Sequence, residues 1–162
     1  MMSMCFIGKE APQFQMNAVL PNLTYSVVTL TENMKNEKWT FLVFYPFDFH
    51  KKSLELLSSF SERKRAFEAL NTEIIGISTD SVYSHRAFIE RFKFQIPLAS
   101  DLNHHVGNDY GCLALVGGFT HFAFYLINPQ GILVFSQAVY YPLEVDIPHF
   151  LHVIHQCQSA VF

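Results

Sequence analysis

His50 and Ser53 stand three residues apart, with Lys51 and Lys52 between them. Three chemistries could use that spacing. A serine beside a histidine can be a base-activated nucleophile, if an acid orients the ring and donors hold an oxyanion. Neither partner can be read here, so hydrolysis is not expected. His50, Lys51 and Lys52 ahead of a helix start could form an anion site, with a solvated loop as the structural reading. Ser53 followed by Glu55 also has the pattern of a helix N-cap, and a cap at Ser53 is the expectation.

His149, His152 and His155 recur every three residues. Neighbouring pairs on one helix could chelate a metal, but a run of three drifts around a helix of 3.6 residues per turn. Only Asp146 adds a ligand type at that helix, so no metal site is expected. The three cysteines, Cys5, Cys112 and Cys157, are odd in number and widely spaced, without a Cys-x-x-Cys pair. That is not a disulfide framework, and it fits a reducing cytoplasm.

The elements that must position these residues alternate. Residues 39–45 form a near-continuous apolar run, as expected of a strand covered on both faces. Residues 54–70 carry Leu56, Leu57, Phe60, Phe67 and Leu70 at helical spacing. Residues 73–78 read as a second buried strand, 81–92 as a helix, 96–98 as a short extended piece, and 104–110 as a short helix. Gly117-Gly118 marks a turn. Residues 122–127 and 132–135 flank Asn128-Pro129-Gln130-Gly131, a hairpin signal. Residues 146–158 read as a helix, with Pro148 tolerated in its first turn. This is a β-α-β half followed by a hairpin and a terminal helix, an α/β plan.

The chain has 162 residues, half of them hydrophobic, 17 of them Phe, and a formal net charge of −3. A single packed domain over 1–162 is expected, with part of the aromatic load at subunit contacts. Arg63-Lys64-Arg65 is flanked by Glu62 and Glu68, which reads as a solvated helix face and gives no sign of a nucleic-acid partner. No apolar run reaches the roughly 18 residues needed to span a bilayer. The N-terminus shows no basic and apolar secretory pattern. A cytoplasmic protein that binds neither nucleic acid nor membrane is expected.

The residues around Ser53 resemble the active-site loop of the peroxiredoxins, the alkyl hydroperoxide reductase C and thiol-specific antioxidant family. Phe44-Tyr-Pro46-Phe-Asp48-Phe-His50-Lys-Lys-Ser53 is similar to that family's Phe-Tyr-Pro-Leu-Asp-Phe-Thr-Phe-Val-Cys. Other blocks follow in order. Ile7-Gly-Lys-Glu-Ala-Pro12-Gln-Phe14 looks like its opening. Phe67 to Ser81, with Glu73-Ile-Ile-Gly-Ile-Ser78-Thr-Asp80, matches its second strand. His85 and Phe88 fall on its His and Trp. Ile96-Pro-Leu-Ala-Ser-Asp101, Tyr110-Gly111 and Leu126-Ile-Asn-Pro-Gln-Gly131 match later blocks. The implied fold is thioredoxin-like, a central mixed sheet flanked by helices. His104-His105 falls on the family's Asn-His and is expected to be structural.

The resemblance also implies what is missing. Aligned without gaps, Ser53 lies at the peroxide-reducing cysteine, His50 at the catalytic threonine and Phe122 at the arginine. Of that signature Pro46 alone remains. The family mechanism needs a thiolate that becomes a sulfenic acid, favoured by a helix N-terminus and by the threonine and arginine that hold the peroxide. A family member without thiol peroxidase activity is therefore expected, in a binding or scaffold role and with no cofactor. The alternative is a thiol-dependent peroxidase using Cys112 or Cys157, although Cys112 reads as a core thiol. Resemblance further implies a homodimer or larger homo-oligomer, paired through the strand and loops containing Phe119, Phe122, Tyr140 and Tyr141. It would also allow association with an active peroxiredoxin.

Overall fold

A computed structural model describes residues 5–139 and 146–160. Its elements are β1 (Gln15–Val19), β2 (Tyr25–Thr29), α1 (Leu30–Lys35), β3 (Trp39–Phe44), α2 (Lys51–Glu62), α3 (Lys64–Ala69), β4 (Thr72–Ser78), α4 (Val82–Phe92), β5 (Leu98–Ser100), α5 (His105–Tyr110), β6 (Phe122–Ile127), β7 (Leu133–Val139) and α6 (Ile147–Ser159). The strands form one sheet in the order β2-β1-β5-β4-β3-β6-β7. β3 pairs in parallel with β4, and β4 with β5, while the other pairings are antiparallel. This is the mixed sheet flanked by helices that the resemblance implied.

Both faces of β3 are covered, which explains its unbroken apolar sequence. Phe41, Val43 and Tyr45 enter one core cluster, together with Phe60 of α2, Phe67 of α3, Phe88 of α4, Phe124 of β6 and Phe150 of α6. Leu42 and Phe44 enter the other, with Leu30 of α1, Tyr110 of α5 and Tyr125 of β6. The Phe41 ring lies 5.3–6.3 Å from the rings of Phe60, Phe67, Phe124 and Phe150. Each such aromatic pair contributes about 0.5–1.5 kcal/mol beyond burial.

The hairpin expected at 128–131 is present. The Gly131 N–H donates to the Asn128 carbonyl at 2.9 Å, and Asn128 Oδ1 accepts from the Gln130 and Ile132 N–H groups. Gly131 has φ +82 and lies against Met34, so a side chain there would be strained and crowded. Asp146 caps α6 by accepting from the His149 N–H at 3.0 Å, with Pro148 in the first turn.

Three boundaries depart from expectation. The helix expected over 54–70 starts at Lys51 and is broken at Arg63 into α2 and α3. The extended piece expected at 96–98 pairs as Leu98–Ser100. The second strand of the hairpin runs on to Val139. β1, β2 and α1 add two strands and a helix not read from the sequence.

Candidate functional site

The loop between β3 and α2 is shaped by its backbone. Phe49 has φ +64, a conformation costly for an aromatic residue. Its exposed ring is braced 4.8 Å from Phe88 and 6.3 Å from Phe92. The turn leaves His50 extended and in position to cap α2. His50 Nδ1 accepts from the Lys52 N–H at 3.2 Å. That role requires a neutral ring with its proton on Nε2.

His50, not Ser53, is therefore the N-cap, which corrects the sequence expectation. The reason lies in the helical stripe. Ser53, Leu56, Leu57 and Phe60 are the buried residues of α2. Their spacing of three and four places Ser53 on the face turned into the core. Ser53 is 0% exposed, and its Oγ has no hydrogen-bond partner among the described residues. His50 and Ser53 do not pair, since the His50 acceptor nitrogen serves Lys52 and the serine hydroxyl has no partner among the described residues. Lys52 is engaged at the surface with Glu55, 3.3 Å away.

Phe122 opens β6 beside the end of β3, where Phe44 pairs with Ala123. It is buried in the same cluster as Leu56, Leu57 and Phe60. Half-buried Pro46 follows Tyr45, whose carbonyl accepts from the Thr120 hydroxyl at 2.9 Å. Pro46, His50, Ser53 and Phe122 thus gather at one end of the central strands. Phe122 presents an apolar ring at that end of the sheet.

Sequence reasoning missed a buried polar network in this loop. Asp48 accepts from the Tyr45 hydroxyl at 2.7 Å and lies 2.7 Å from His85 Nδ1. The Asp48 N–H donates to Asp80 Oδ2 at 2.9 Å. Burial and the adjacent Asp48 carboxylate push the Tyr45 phenol well above its ordinary range. No local pattern marks these partners, which lie 32 and 37 residues apart.

The cysteines lie elsewhere. Cys112 is buried in the second cluster, across the sheet from the face that Ser53 enters. Burial pushes its thiol up to about 12 and that of Cys5 to about 11, and also raises Cys157. His149, His152 and His155 are all exposed on α6. Among the described residues no three His, Cys, Asp or Glu side chains are grouped to hold a metal ion. His104 starts α5 with φ +67 and packs against Gly118, a structural placement. Tyr140 and Tyr141 lie outside the described residues. A groove of about 370 Å³ lies at the opposite end of β3 and β4, lined by Lys38, Lys64, Glu73 and Pro97 among others. Burial raises Glu73 above the usual carboxyl range, against the lowering effect of both lysines. No described helix is long and apolar enough to cross a membrane.

Comparison with known proteins matches this geometry. The chain is 37% identical over 161 residues to the Bacillus subtilis (strain 168) protein YkuU, covering 95% of this chain and 89% of that one. It is 38% identical over 134 residues to peroxiredoxin tpx1 of Schizosaccharomyces pombe, covering 78% of this chain and 68% of that one. Among solved structures, reduced 2-Cys peroxiredoxin from Plasmodium vivax superposes with a TM-score of 0.89 at 28% identity, covering 94% of this chain and 96% of the other. The AhpC/TSA family matches residues 7–136. With its mixed sheet flanked by helices and these matches, the chain belongs to the AhpC/TSA family, the peroxiredoxins.

Proposed function

We propose that this chain is a peroxiredoxin-family protein without thiol peroxidase activity, kept for binding or as a scaffold. The observation that carries this reading is the Ser53 hydroxyl, buried and unpartnered where the family resemblance places the reactive thiol. A helix N-terminus favours an anion by only about 0.3–1 kcal/mol, far too little to ionise a serine. Oxygen also has no counterpart to the sulfenic acid that sulfur forms. His50 spends its acceptor on α2, and Phe122 offers no charge to a peroxide.

The competing reading is peroxide reduction through Cys112 or Cys157. Both thiols are raised by burial, which opposes the thiolate that attack requires. Cys112 also faces the other side of the sheet. Hydrogen peroxide consumption with dithiothreitol separates the readings, comparing the chain with its Cys112→Ser and Cys157→Ser variants. No turnover above the uncatalysed rate is expected. Thiol-dependent turnover that one variant abolishes would overturn the proposal. The triple variant Ser53→Cys, His50→Thr, Phe122→Arg tests whether the site retains the family shape, and a gain of peroxidase activity is expected.

The reading includes self-association in the cytoplasm, as a homodimer or larger homo-oligomer, and pairing with an active peroxiredoxin. Phe47, Leu115 and Val116 are exposed, and the Phe47 ring packs at a tilt 5.0 Å from Phe119. An uncharged apolar surface of this kind suits a second copy. Sedimentation of the chain against Leu115→Asp tests it. A monomer at micromolar concentration in both would remove self-association from the proposal.

A further inference from the structure

The Asp48 and His85 side chains are 1% and 0% exposed. His85 Nδ1 lies 2.7 Å from Asp48 Oδ2, and its Nε2 lies 2.9 Å from the Ala99 carbonyl oxygen. At their shortest contacts both ring nitrogens thus face oxygens that accept, while the Tyr45 hydroxyl lies farther from Nδ1, at 3.4 Å. The other Asp48 oxygen is already taken by the Tyr45 hydroxyl. A neutral imidazole has a single N–H. Directed at Asp48, it leaves the Nε2 lone pair against a carbonyl. Directed at Ala99, it leaves the Nδ1 lone pair against a carboxylate. Either mismatch is costly in a buried site. Both contacts are made only if the pair carries one proton beyond a carboxylate and a neutral ring, held on Nδ1 or on Oδ2.

The pair sits where it can control the loop. Asp48 is also tied through its N–H to Asp80, which accepts from the Ser78 hydroxyl at 2.6 Å. The Ser100 hydroxyl donates to the Asp80 carbonyl. Asp48 is therefore anchored to α4 and to the ends of β4 and β5. Two residues later His50 caps α2, and three beyond that Ser53 enters the core. We propose that Asp48 and His85 form a one-proton latch, which fixes the loop entering α2 and whose deprotonation loosens the helix start carrying His50 and Ser53.

Among the described residues, the titratable groups facing the pair are Tyr45 from the end of β3 and Asp80 from the end of β4. β5 contributes the uncharged Ala99 carbonyl and Ser100 hydroxyl. Asp101, beyond β5, is turned to the Val106 and Gly107 N–H groups instead.

Asp48→Asn tests the latch. Its amide can donate to His85 Nδ1 and accept from Tyr45, with the neutral ring donating to Ala99, so every contact survives without the extra proton. Nitrogen-15 NMR of the full chain reads the His85 ring and the amides of residues 47–53. The expected wild-type ring either has both nitrogens protonated or has its proton on Nε2 with Asp48 protonated. As pH rises, the loop amides are expected to shift in one step, which Asp48→Asn lacks. A neutral ring protonated on Nδ1 would overturn the latch. So would the same titration step in Asp48→Asn, or no step in the wild type before it unfolds. His85→Gln strands the Asp48 charge and is expected to lower the denaturation midpoint, with partial recovery in the Asp48→Asn, His85→Gln double variant. If His85→Gln does not fold, the Asp48→Asn comparison still decides.

Discussion

The Thr120 hydroxyl donates to the Tyr45 carbonyl at 2.9 Å, joining the residue after β3 to the start of β6 across 75 residues of sequence. Thr120 is fully buried. Thr120→Val keeps the shape and removes the donor, leaving a buried carbonyl short of a partner. A loss of about 1–3 kcal/mol is expected in urea unfolding. A loss below a few tenths would mean that the carbonyl is satisfied another way.

Ser53→Ala should behave in the opposite sense. Its hydroxyl is buried without a partner, so removal costs no hydrogen bond and ends a desolvation penalty. The expected change runs from zero to a gain of about 1 kcal/mol in the same unfolding measurement. A clear loss would show that the hydroxyl is bound to something that matters to stability.

Phe150 anchors α6 to the sheet, with ring contacts to Phe41, Phe60 and Phe124 at 4.7–5.8 Å. Phe150→Ala is expected to cost about 3–5 kcal/mol. Thermal unfolding of the two proteins gives the comparison, and a shift of only a degree or two would contradict the packing.

The thiols should label in an order set by burial. Cys112 is buried and pushed to about 12, while Cys5 and Cys157 are partly exposed. With an aromatic disulfide reagent at about pH 8, two thiols are expected to react in the folded protein and the third only on unfolding. The folded protein keeps the Cys112 proton where an unfolded chain would release it. Stability from this group is therefore lost as pH rises from the ordinary thiol range towards about 12.

Glu73 gives a second pH effect at the other end of the strands. Its carboxyl is raised by burial, so the folded state holds a proton that the unfolded chain gives up sooner. Below the ordinary glutamate range both states hold the proton and its contribution is fully present. Stability then falls as pH climbs through the interval up to its raised value. Glu73→Gln should flatten that slope in unfolding free energy measured from mildly acidic to neutral pH. An unchanged slope would assign the effect to another group.

Legibility in the sequence followed burial. β3 and β6 are covered on both faces, so their apolar runs named them directly. β1 alternates exposed and buried residues and carries Gln15 and Asn17, and β2 is an edge strand with no fully buried position, so neither stood out. The break at Arg63 has no Gly or Pro to announce it. Serine is a better capping residue than histidine, so the residue types alone point to Ser53 as the cap. The backbone turn at Phe49, invisible in the residue types, decided for His50. The Asp48–His85 pair was hidden because its partners meet only after the sheet has formed.

The Phe-rich cluster has a kinetic side. Phe41 of β3 and Phe150 of α6 are far apart in sequence, and their rings meet at 5.3 Å. A chain made from its N-terminus must carry Phe41 through about a hundred residues of synthesis before that contact can form. Pairings of such long separation slow folding. Until α6 arrives, β3 and β6 expose an aromatic face, the kind of surface that chaperones hold and that aggregates when they do not.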